Sequence, residues 1–307
     1  MSQDIETSVV IPTYNREKIL YKCLKALDNQ SYPAEKYEII IINDNSTDNT
    51  ENMLKNIDIK PQLVYRKQEH SGPAGARNTG LKLARGKYIV FIDDDIIVNP
   101  LFLEAHINKQ KENDRIIVHG PVIYTNNLDN PTSEEMKITD FSRSYFATGN
   151  VSIKKEYLKK SGLFNEKFTE YGWEDLELGI RLKKLGLKAK RAPEAKGFHL
   201  KYSFSPDKIP AVLEKERQRG RMAVVYNNIN SNWEVKLSTM YWLPFFALER
   251  ILNIANWPKW KSTHKLVNHL HEKGHNKTRN FIVFFMKQRA YFNGMRKGPD
   301  SQSDTKI

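Results

Sequence analysis

The sequence predicts an α/β fold: a mostly parallel sheet with helices on both faces, followed by a helical C-terminal extension. Three observations predict it. Over residues 7–120, short runs of β-branched residues alternate with stretches of helical spacing. The runs are apolar at nearly every position, not at alternate ones, which marks strands covered on both faces. Beyond residue 200, aromatic and basic residues crowd into a region whose pattern is helical.

Each element has its own signal. Ser8-Val9-Val10-Ile11 is the first strand and ends at Pro12. Ile19, Leu20, Cys23, Leu24 and Leu27 give residues 17–29 helical spacing. Glu38-Ile39-Ile40-Ile41-Ile42 is a second buried strand, and Ser46 or Thr47 is placed to cap a helix reaching Lys55. Gln62-Leu63-Val64-Tyr65 is the third strand, residues 74–84 a helix and 87–92 the fourth strand. Residues 121–145 are polar and weakly patterned, a loop or lid. Glu174-Asp175 opens a helix with Leu176 and Ile180, and Lys196-Gly197-Phe198 is a short strand leading to His199. A charged helix over 206–227 precedes amphipathic helices over 233–297, broken at Pro244 and Pro258; the polar tail from Gly298 reads as disordered. The expected division is therefore 1–205, 206–297 and 298–307.

The 307 residues suffice for one large domain with an appendage, or for two domains. A single cysteine, Cys23, excludes a disulfide framework and fits a reducing compartment. The first residues, Met1 to Glu6, lack a basic-then-apolar signal region. No apolar stretch reaches the ~18 residues of a membrane span. A cytoplasmic chain is expected, with peripheral attachment to the inner face of the cell membrane as an option. The net charge of +13 is uneven: residues 1–200 carry 30 Lys+Arg against 28 Asp+Glu, whereas 201–307 carry 19 against 8. The same final third holds Trp233, Trp242, Trp257 and Trp260. Basic charge interleaved with aromatics suits an anionic surface such as membrane headgroups, with Trp257 and Trp260 beside Lys259 and Lys261 at headgroup level. An ordinary helical subdomain with a basic exterior explains the composition equally well. Nucleic acid is not an expected partner.

In a parallel sheet, ligands bind beyond the carboxyl ends of the strands. Those ends carry Thr13-Tyr14-Asn15, Asn43-Asp44-Asn45 and Asp93-Asp94-Asp95. Three carboxylates after a buried strand repel one another unless a cation sits among them, and hard oxygen donors suit Mg²⁺ or Mn²⁺ with a diphosphate completing the shell. A solvated acidic turn is the competing explanation of the triplet alone. Alternation puts Asp93 and Asp95 on one side and turns Asp94 away, toward structural hydrogen bonds. Tyr14 offers a stacking face for a nucleobase or packs on the sheet as a turn aromatic, Asp44 is an acceptor for a uracil N3–H or a ribose hydroxyl, and Arg77 is a bidentate partner for a diphosphate or a surface partner for an acid. Asn78 reads as a loop brace.

Taken in order, six blocks resemble a family 2 glycosyltransferase of the GT-A fold. They are Ser8-Val9-Val10-Ile11-Pro12-Thr13-Tyr14-Asn15, Ile41-Ile42-Asn43-Asp44-Asn45-Ser46-Thr47-Asp48, Gly75-Ala76-Arg77-Asn78-Thr79-Gly80, Asp93-Asp94-Asp95, Thr148-Gly149-Asn150 with Gly162-Leu163-Phe164, and Gly172-Trp173-Glu174-Asp175-Leu176-Glu177. The resemblance covers about residues 6–200. It implies donor-nucleotide contacts from Pro12, Tyr14, Asp44, Arg77 and Asp93, and a metal held by Asp95 and His199 with Asp93 on the ribose or a metal-bound water. It implies that Asp175 is the base of a single inverting displacement, with Glu174 contacting the acceptor or orienting the loop. Trp173, Gly149 and Asn150 would line the acceptor and sugar pocket, although Trp173 reads equally well as a core residue. The chain departs from the pattern at Asn43, where many relatives carry Asp, which removes one negative charge near the base. Gln218-Arg219-Gly220-Arg221-Met222 is similar to a motif of processive members, with Met222 in place of Trp and Arg221 offered as a phosphate contact.

The expected activity is thus a hexosyl- or N-acetylhexosaminyl-transfer from a UDP-sugar to a hydroxyl of a cell-surface glycan or lipid-linked acceptor, with Mn²⁺ or Mg²⁺. Two alternatives are a nucleotidyltransferase and a catalytically inactive protein that binds sugar or nucleic acid. The first usually has a glycine-rich basic loop after its first strand, where this chain has Pro12-Thr13-Tyr14-Asn15-Arg16. The set Asp95, Asp175 and His199 argues against the second.

Overall fold

The structure, a computed structural model, describes residues 4–127, 130–200 and 204–299. It divides into two compact units, Met1–Glu166 with Glu174–Tyr202, and Lys167–Trp173 with Ser203–Ile307.

The first unit runs β1 (Thr7–Thr13), α1 (Glu17–Asp28), β2 (Tyr37–Asn43), α2 (Thr50–Asn56), β3 (Gln62–Lys67), α3 (Gly72–Leu83), β4 (Tyr88–Ile92), β5 (Ile96–Val98), α4 (Phe102–Glu112), β6 (Ile116–His119), β7 (Val122–Thr125), β8 (Asn150–Lys154), α5 (Lys155–Lys160), α6 (Glu174–Lys184), β9 (Lys188–Arg191) and β10 (Gly197–Leu200). Seven strands form one mostly parallel sheet in the order β3-β2-β1-β4-β8-β6-β9; β5, β10 and β7 form a small second sheet. Strands β3, β2, β1 and β4 are mutually parallel, and β8 runs antiparallel between β4 and β6.

Covering both faces explains the unbroken apolar runs. Val9, Ile11, Ile39 and Ile41 share a core with Leu20, Leu24 and Leu27 of α1 and with Phe102 and Ile107 of α4. The alternate residues face α3, where a Cβ on Gly80 would lie 2.5 Å from Val10 Cγ1. Cys23 is buried on the inner face of α1. The α4 helix is tied to β8 by a buried polar network. His106 contacts Asn150 Oδ1 through Nε2 (2.8 Å) and Ser152 through Nδ1 (3.0 Å), and Gln110 donates to the Ser152 carbonyl (2.8 Å). Burial depresses the His106 pKa to about 4, so it stays neutral here.

Some expectations are corrected. Neither Ser46 nor Thr47 caps α2, which begins at Thr50 with its N–H held by Asp48 (3.1 Å). Both earlier residues are bonded to Asn15 instead. The 121–145 stretch contains β7 and two short 3₁₀ turns, Pro131–Ser133 and Ile138–Asp140.

The second unit holds α7 (Ile209–Ile229), α8 (Trp233–Ser238), α9 (Leu243–Leu252), α10 (Lys261–Glu272) and α11 (Asn276–Lys297). Helices α7 and α11 meet backbone to backbone: a Cβ on Gly220 would press into the Tyr291 carbonyl, and one on Gly294 into that of Arg217. Pro244 does not break a helix but sits in the first turn of α9, where its missing N–H costs nothing. Pro258 lies in the 3₁₀ stretch between α9 and α10. Segment 167–173, expected with the sheet domain, belongs here for a plain reason. Phe168 and Trp173 pack on Tyr226, and Glu170 takes a bidentate pair from Arg221, 2.7 Å at each oxygen. Arg221 also meets Glu214 (2.9 Å), so its guanidinium is committed to carboxylates and is not an open phosphate contact. Tail residues 300–307 lie outside the described residues.

Candidate active site

Parallel pairing of β1 with β2 and β4 brings three strand ends to one edge of the sheet. The first two are locked together. Asn15, at φ +54°, accepts the Thr47 N–H (2.7 Å), and Ser46 Oγ accepts the Asn15 N–H (2.9 Å). A left-handed Asn is tolerated because its short side chain bonds locally. Tyr14 is left exposed beside this lock, its ring centroid 5.6 Å from that of His70.

Asp44 is buried and organises the turn before α3. It accepts from Gln68 Nε2 (2.8 Å) and from the Ser71 and Gly72 N–H groups (2.9 and 3.1 Å), and pairs with His70 Nδ1 (2.7 Å). Gly72 has φ +73°, a conformation that glycine adopts without strain. Both Asp44 oxygens therefore accept from residues 68–72, where the sequence assigns them to a uracil N3–H or a ribose hydroxyl. His70 is the residue that reading missed. Its available signal is position: it lies past the carboxyl end of β3, next in the sheet to β2.

The acidic triplet separates as alternation predicts. Asp94 accepts the Thr13 hydroxyl (2.6 Å); burial, then the charges of Asp95 and Asp93, push its pKa up to about 7. Asp93 faces Arg77 at 3.3 Å. Arg77 is buried and bonds Glu174 Oε1 at 2.9 Å, so it bridges two carboxylates and is not an open diphosphate cradle. Asn78 clamps the Phe164 carbonyl (2.9 Å) and N–H (3.0 Å), the bracing role expected of it. Asp175, next to Glu174 in the first turn of α6, bonds the Leu176 N–H (2.7 Å). Burial first, then the neighbouring Glu174 charge, hold the Asp175 pKa well above the ordinary carboxylate range.

Asp95 and His199 come together through topology. Antiparallel pairing of β10 with β5 sets His199 opposite Ile96, one residue past Asp95. His199 Nε2 lies 3.4 Å from Asp95 Oδ1, and Arg16 approaches the other Asp95 oxygen at 3.9 Å. His199 Nδ1 is buried with no hydrogen-bond partner. Among the described residues no three His, Cys, Asp or Glu side chains converge on one point. One carboxylate and one imidazole fit Mn²⁺ or Mg²⁺ whose remaining ligands are phosphate and water oxygens. Asp93, turned to Arg77, is not a third donor in this conformation.

The acceptor-pocket residues divide. A Cβ on Gly149 would stand 3.3 Å from Asp93 Oδ2, so this glycine keeps space beside the triplet. Asn150 is spent on the fold, donating to the Pro121 and Ala195 carbonyls (2.9 Å each) and contacting His106 through Oδ1. Trp173 is buried in the second unit, stacked at 25° on Tyr226, its indole N–H on the Arg219 carbonyl (2.9 Å). It behaves as the core residue that was its alternative reading. Pro12 lies at the end of β1, adjoining Thr13 and Tyr14.

Comparison with known proteins agrees with this layout. The model of glycosyl transferase family 2 matches residues 8–166, and that of the N-terminal domain of galactosyltransferase matches 131–203. Hyaluronan synthase of Pasteurella multocida is 28% identical over 229 residues, 60% of this chain and 23% of that protein. Poly(ribitol-phosphate) beta-glucosyltransferase of Bacillus spizizenii is 33% identical over 165 residues, 51% of this chain and 26% of the relative. The chain thus spans only about a quarter of the length of these relatives. S. aureus TarS 1-349 in complex with UDP-GlcNAc superposes with a TM-score of 0.57 at 18% identity, covering 95% of this chain and 90% of that one. Mannosyltransferase PcManGT from Pyrobaculum calidifontis, in complex with GDP-Man and Mn²⁺, gives 0.59 at 17% identity, covering 95% and 86%. With sheet, strand-end site and family model in agreement, the chain belongs to glycosyl transferase family 2 and has the GT-A fold.

Proposed function

We propose that the chain transfers one sugar from a UDP-sugar to a hydroxyl of a glycan or lipid-linked acceptor, with inversion at the anomeric carbon and with Mn²⁺ or Mg²⁺ at Asp95 and His199. The observation that carries this reading is the approach of Asp95 and His199 to 3.4 Å beside the carboxyl ends of β1, β2 and β4. Support also comes from the nucleotide-sugar complexes of TarS and PcManGT, the latter with Mn²⁺. Family membership weighs against nucleotidyl transfer.

The chain's own residues have separable tasks. Tyr14, with His70 beside it, receives the base; Asp44 holds the 68–72 turn that carries His70. Arg77 fixes Asp93 and Glu174 by ion pairs, and Gly149 leaves room next to Asp93. Asp175 takes the proton from the acceptor hydroxyl as its oxygen attacks C1. A carboxylate with a raised pKa suits this task, because a base works best when its pKa lies near the working pH. When bound, the cation supplies Lewis-acid neutralisation of the leaving nucleoside diphosphate. Inversion needs one base and no protein nucleophile.

Incubation with a panel of nucleotide sugars, with and without Mn²⁺, tests the reading. Nucleoside diphosphate release is expected with a UDP-sugar, lost with chelator and restored by Mn²⁺ or Mg²⁺. Full activity of metal-stripped protein, or a retained anomer by NMR of the product, would refute it.

A further inference from the structure

Helix α9 is laid inside out. Leu243 and Ile251, and Ile254 just past its end, are 81%, 71% and 74% exposed, and Trp242, Leu248 and Leu252 are exposed with them. Glu249, at the middle of the same helix, is 3% exposed. Its Oε1 accepts from Arg289 (2.6 Å) and its Oε2 from Arg296. Arg289 is braced in turn by Asn256 (3.0 Å). Phe246 faces inward as well, edge-on to Phe292 at 5.2 Å.

A helix bordering water does the reverse, burying its leucines and exposing its glutamate. The ion pairs explain why α9 keeps this rotation. Turning it to cover Leu248 and Ile251 would pull Glu249 away from both arginines, whose side chains are 19% and 29% exposed, and give up two charge-assisted contacts to its buried carboxylate. The apolar face is therefore held outward, and it needs an apolar phase to cover it.

Charge selects the occupant. Residues 233–297 carry 12 Lys+Arg against 3 Asp+Glu, and one of the three acids is the internally paired Glu249. Lys236, Arg250, Lys259, Lys261 and Lys265 are exposed on α9 and on the segments flanking it in sequence. Like charge of this density opposes docking of a second copy and attracts an anionic surface. Outward leucines with exposed basic residues on the same helix and its flanking segments match a bilayer interface, where apolar side chains enter the acyl boundary and cations meet headgroup phosphates. At ten residues α9 is about 15 Å long, suited to lying in the interface plane. Among the described residues no helix is long and apolar enough to cross a membrane.

We propose that the Trp242–Ile254 face is a docking surface for an anionic lipid bilayer. This moves the centre of the contact that sequence alone had placed at Trp257 and Trp260 toward α9, with Trp260, 50% exposed, still at the surface. Trp257 is only partly exposed, with its indole N–H bonded to the Leu252 carbonyl (3.0 Å), and Pro258 is buried. The inference is independent of the transfer reading, since vesicle binding is measured without donor or acceptor.

Flotation of the full chain with phosphatidylglycerol or phosphatidylcholine vesicles tests it. Binding to the anionic vesicles is expected, weakened by raised salt. Leu248→Asp with Ile251→Asp should lower it at least about tenfold, since each removes an apolar side chain from the interface. Both positions are exposed, so the double variant should keep the wild-type thermal transition and donor hydrolysis. Lys259→Glu with Lys261→Glu should weaken binding to phosphatidylglycerol through charge alone. Failure of the wild type to bind anionic vesicles at low salt overturns the proposal, as does binding that neither variant changes. Equal binding to both vesicle types overturns the anionic preference. A dimer seen by light scattering and dispersed by Leu248→Asp with Ile251→Asp would assign the face to self-association instead.

Discussion

In the sheet unit, Val9, Ile11, Ile39 and Ile41 are fully buried and the carboxylates Asp93, Asp94 and Asp95 gather beyond a strand end. In the helical unit, α9 turns Leu243 and Ile251 outward and draws Glu249 in. Both arrangements concentrate an unfavourable exposure or burial at one place, and both are held by arginine: Arg77 between Asp93 and Glu174, Arg289 and Arg296 on Glu249. The difference lies in what would relieve each. In the function proposed, the carboxylates are relieved by a cation and a diphosphate; in the docking proposed, the outward apolar face is relieved by an apolar phase. Where a fold keeps the wrong kind of group at a surface, the chemistry of that group names its partner.

The largest test of the sheet side of this comparison is Asp95→Asn. Removing a donor from the proposed cation position should lower turnover about 10³–10⁴-fold, the scale of several kcal/mol of transition-state charge stabilisation. A thermal shift with Mn²⁺ gives an independent readout, since a ligand at a hundredfold excess over its Kd stabilises by about 2.7 kcal/mol. That shift should shrink in the variant. An unchanged shift and rate would break the comparison at once.

Asp175→Asn is next, with a fall in kcat of about 10²–10⁴ and little change in donor affinity. As the proposed base, the same residue should set the pH dependence. Its folded pKa is raised, so activity should climb with pH on a limb lying well above the ~3.9 of a free aspartate. The sign for stability is opposite. The favourable contribution is complete below the unfolded pKa and is lost as pH rises through the folded one. Asp175→Asn, which stays neutral, should therefore raise Tm near pH 8, by about 2–4 °C for each ~1 kcal/mol regained. A lower Tm at that pH would show that Asp175 is charged at no cost.

Gly220→Val probes the helical side without touching α9. Its Cβ would meet the Tyr291 carbonyl, a backbone atom that cannot swing away, so urea denaturation should report a loss of about 3 kcal/mol or more. The smallest expected effect is Tyr14→Ala. Loss of one stacking face should weaken donor binding about threefold to tenfold by calorimetry, with kcat nearly intact. His70→Ala should act in the same direction and sharpen whether the pair works together.

How much of this was legible in the sequence follows from what periodicity encodes. The strands Thr7–Thr13, Tyr37–Asn43 and Tyr88–Ile92 were readable because both faces are covered and the apolar runs are unbroken. Strand Asn150–Lys154 and helix Phe102–Glu112 were not, because Asn150, Ser152, His106 and Gln110 spend polar side chains on one another inside the core. His199 and Asp95 could be named from their blocks, but only the β5–β10 pairing explains their meeting. His70 has no signal of its own in the sequence, since only the fold sets it against Asp44 and Tyr14. For α9, the sequence carried the stripe but not its direction: a hydrophobic period is the same whether the stripe faces in or out, and only the arginines on Glu249 decide.

Cys23 has a practical side. It is the chain's one thiol, it is fully buried, and burial, then the charge of Asp94, pushes its pKa well above the ordinary thiol value. Maleimides react with exposed thiolates, so the folded protein is in effect a blank for cysteine labelling. A cysteine introduced at Ile251 would carry the only reactive label, and an environment-sensitive fluorophore there could follow this face against vesicles with every native residue but one in place.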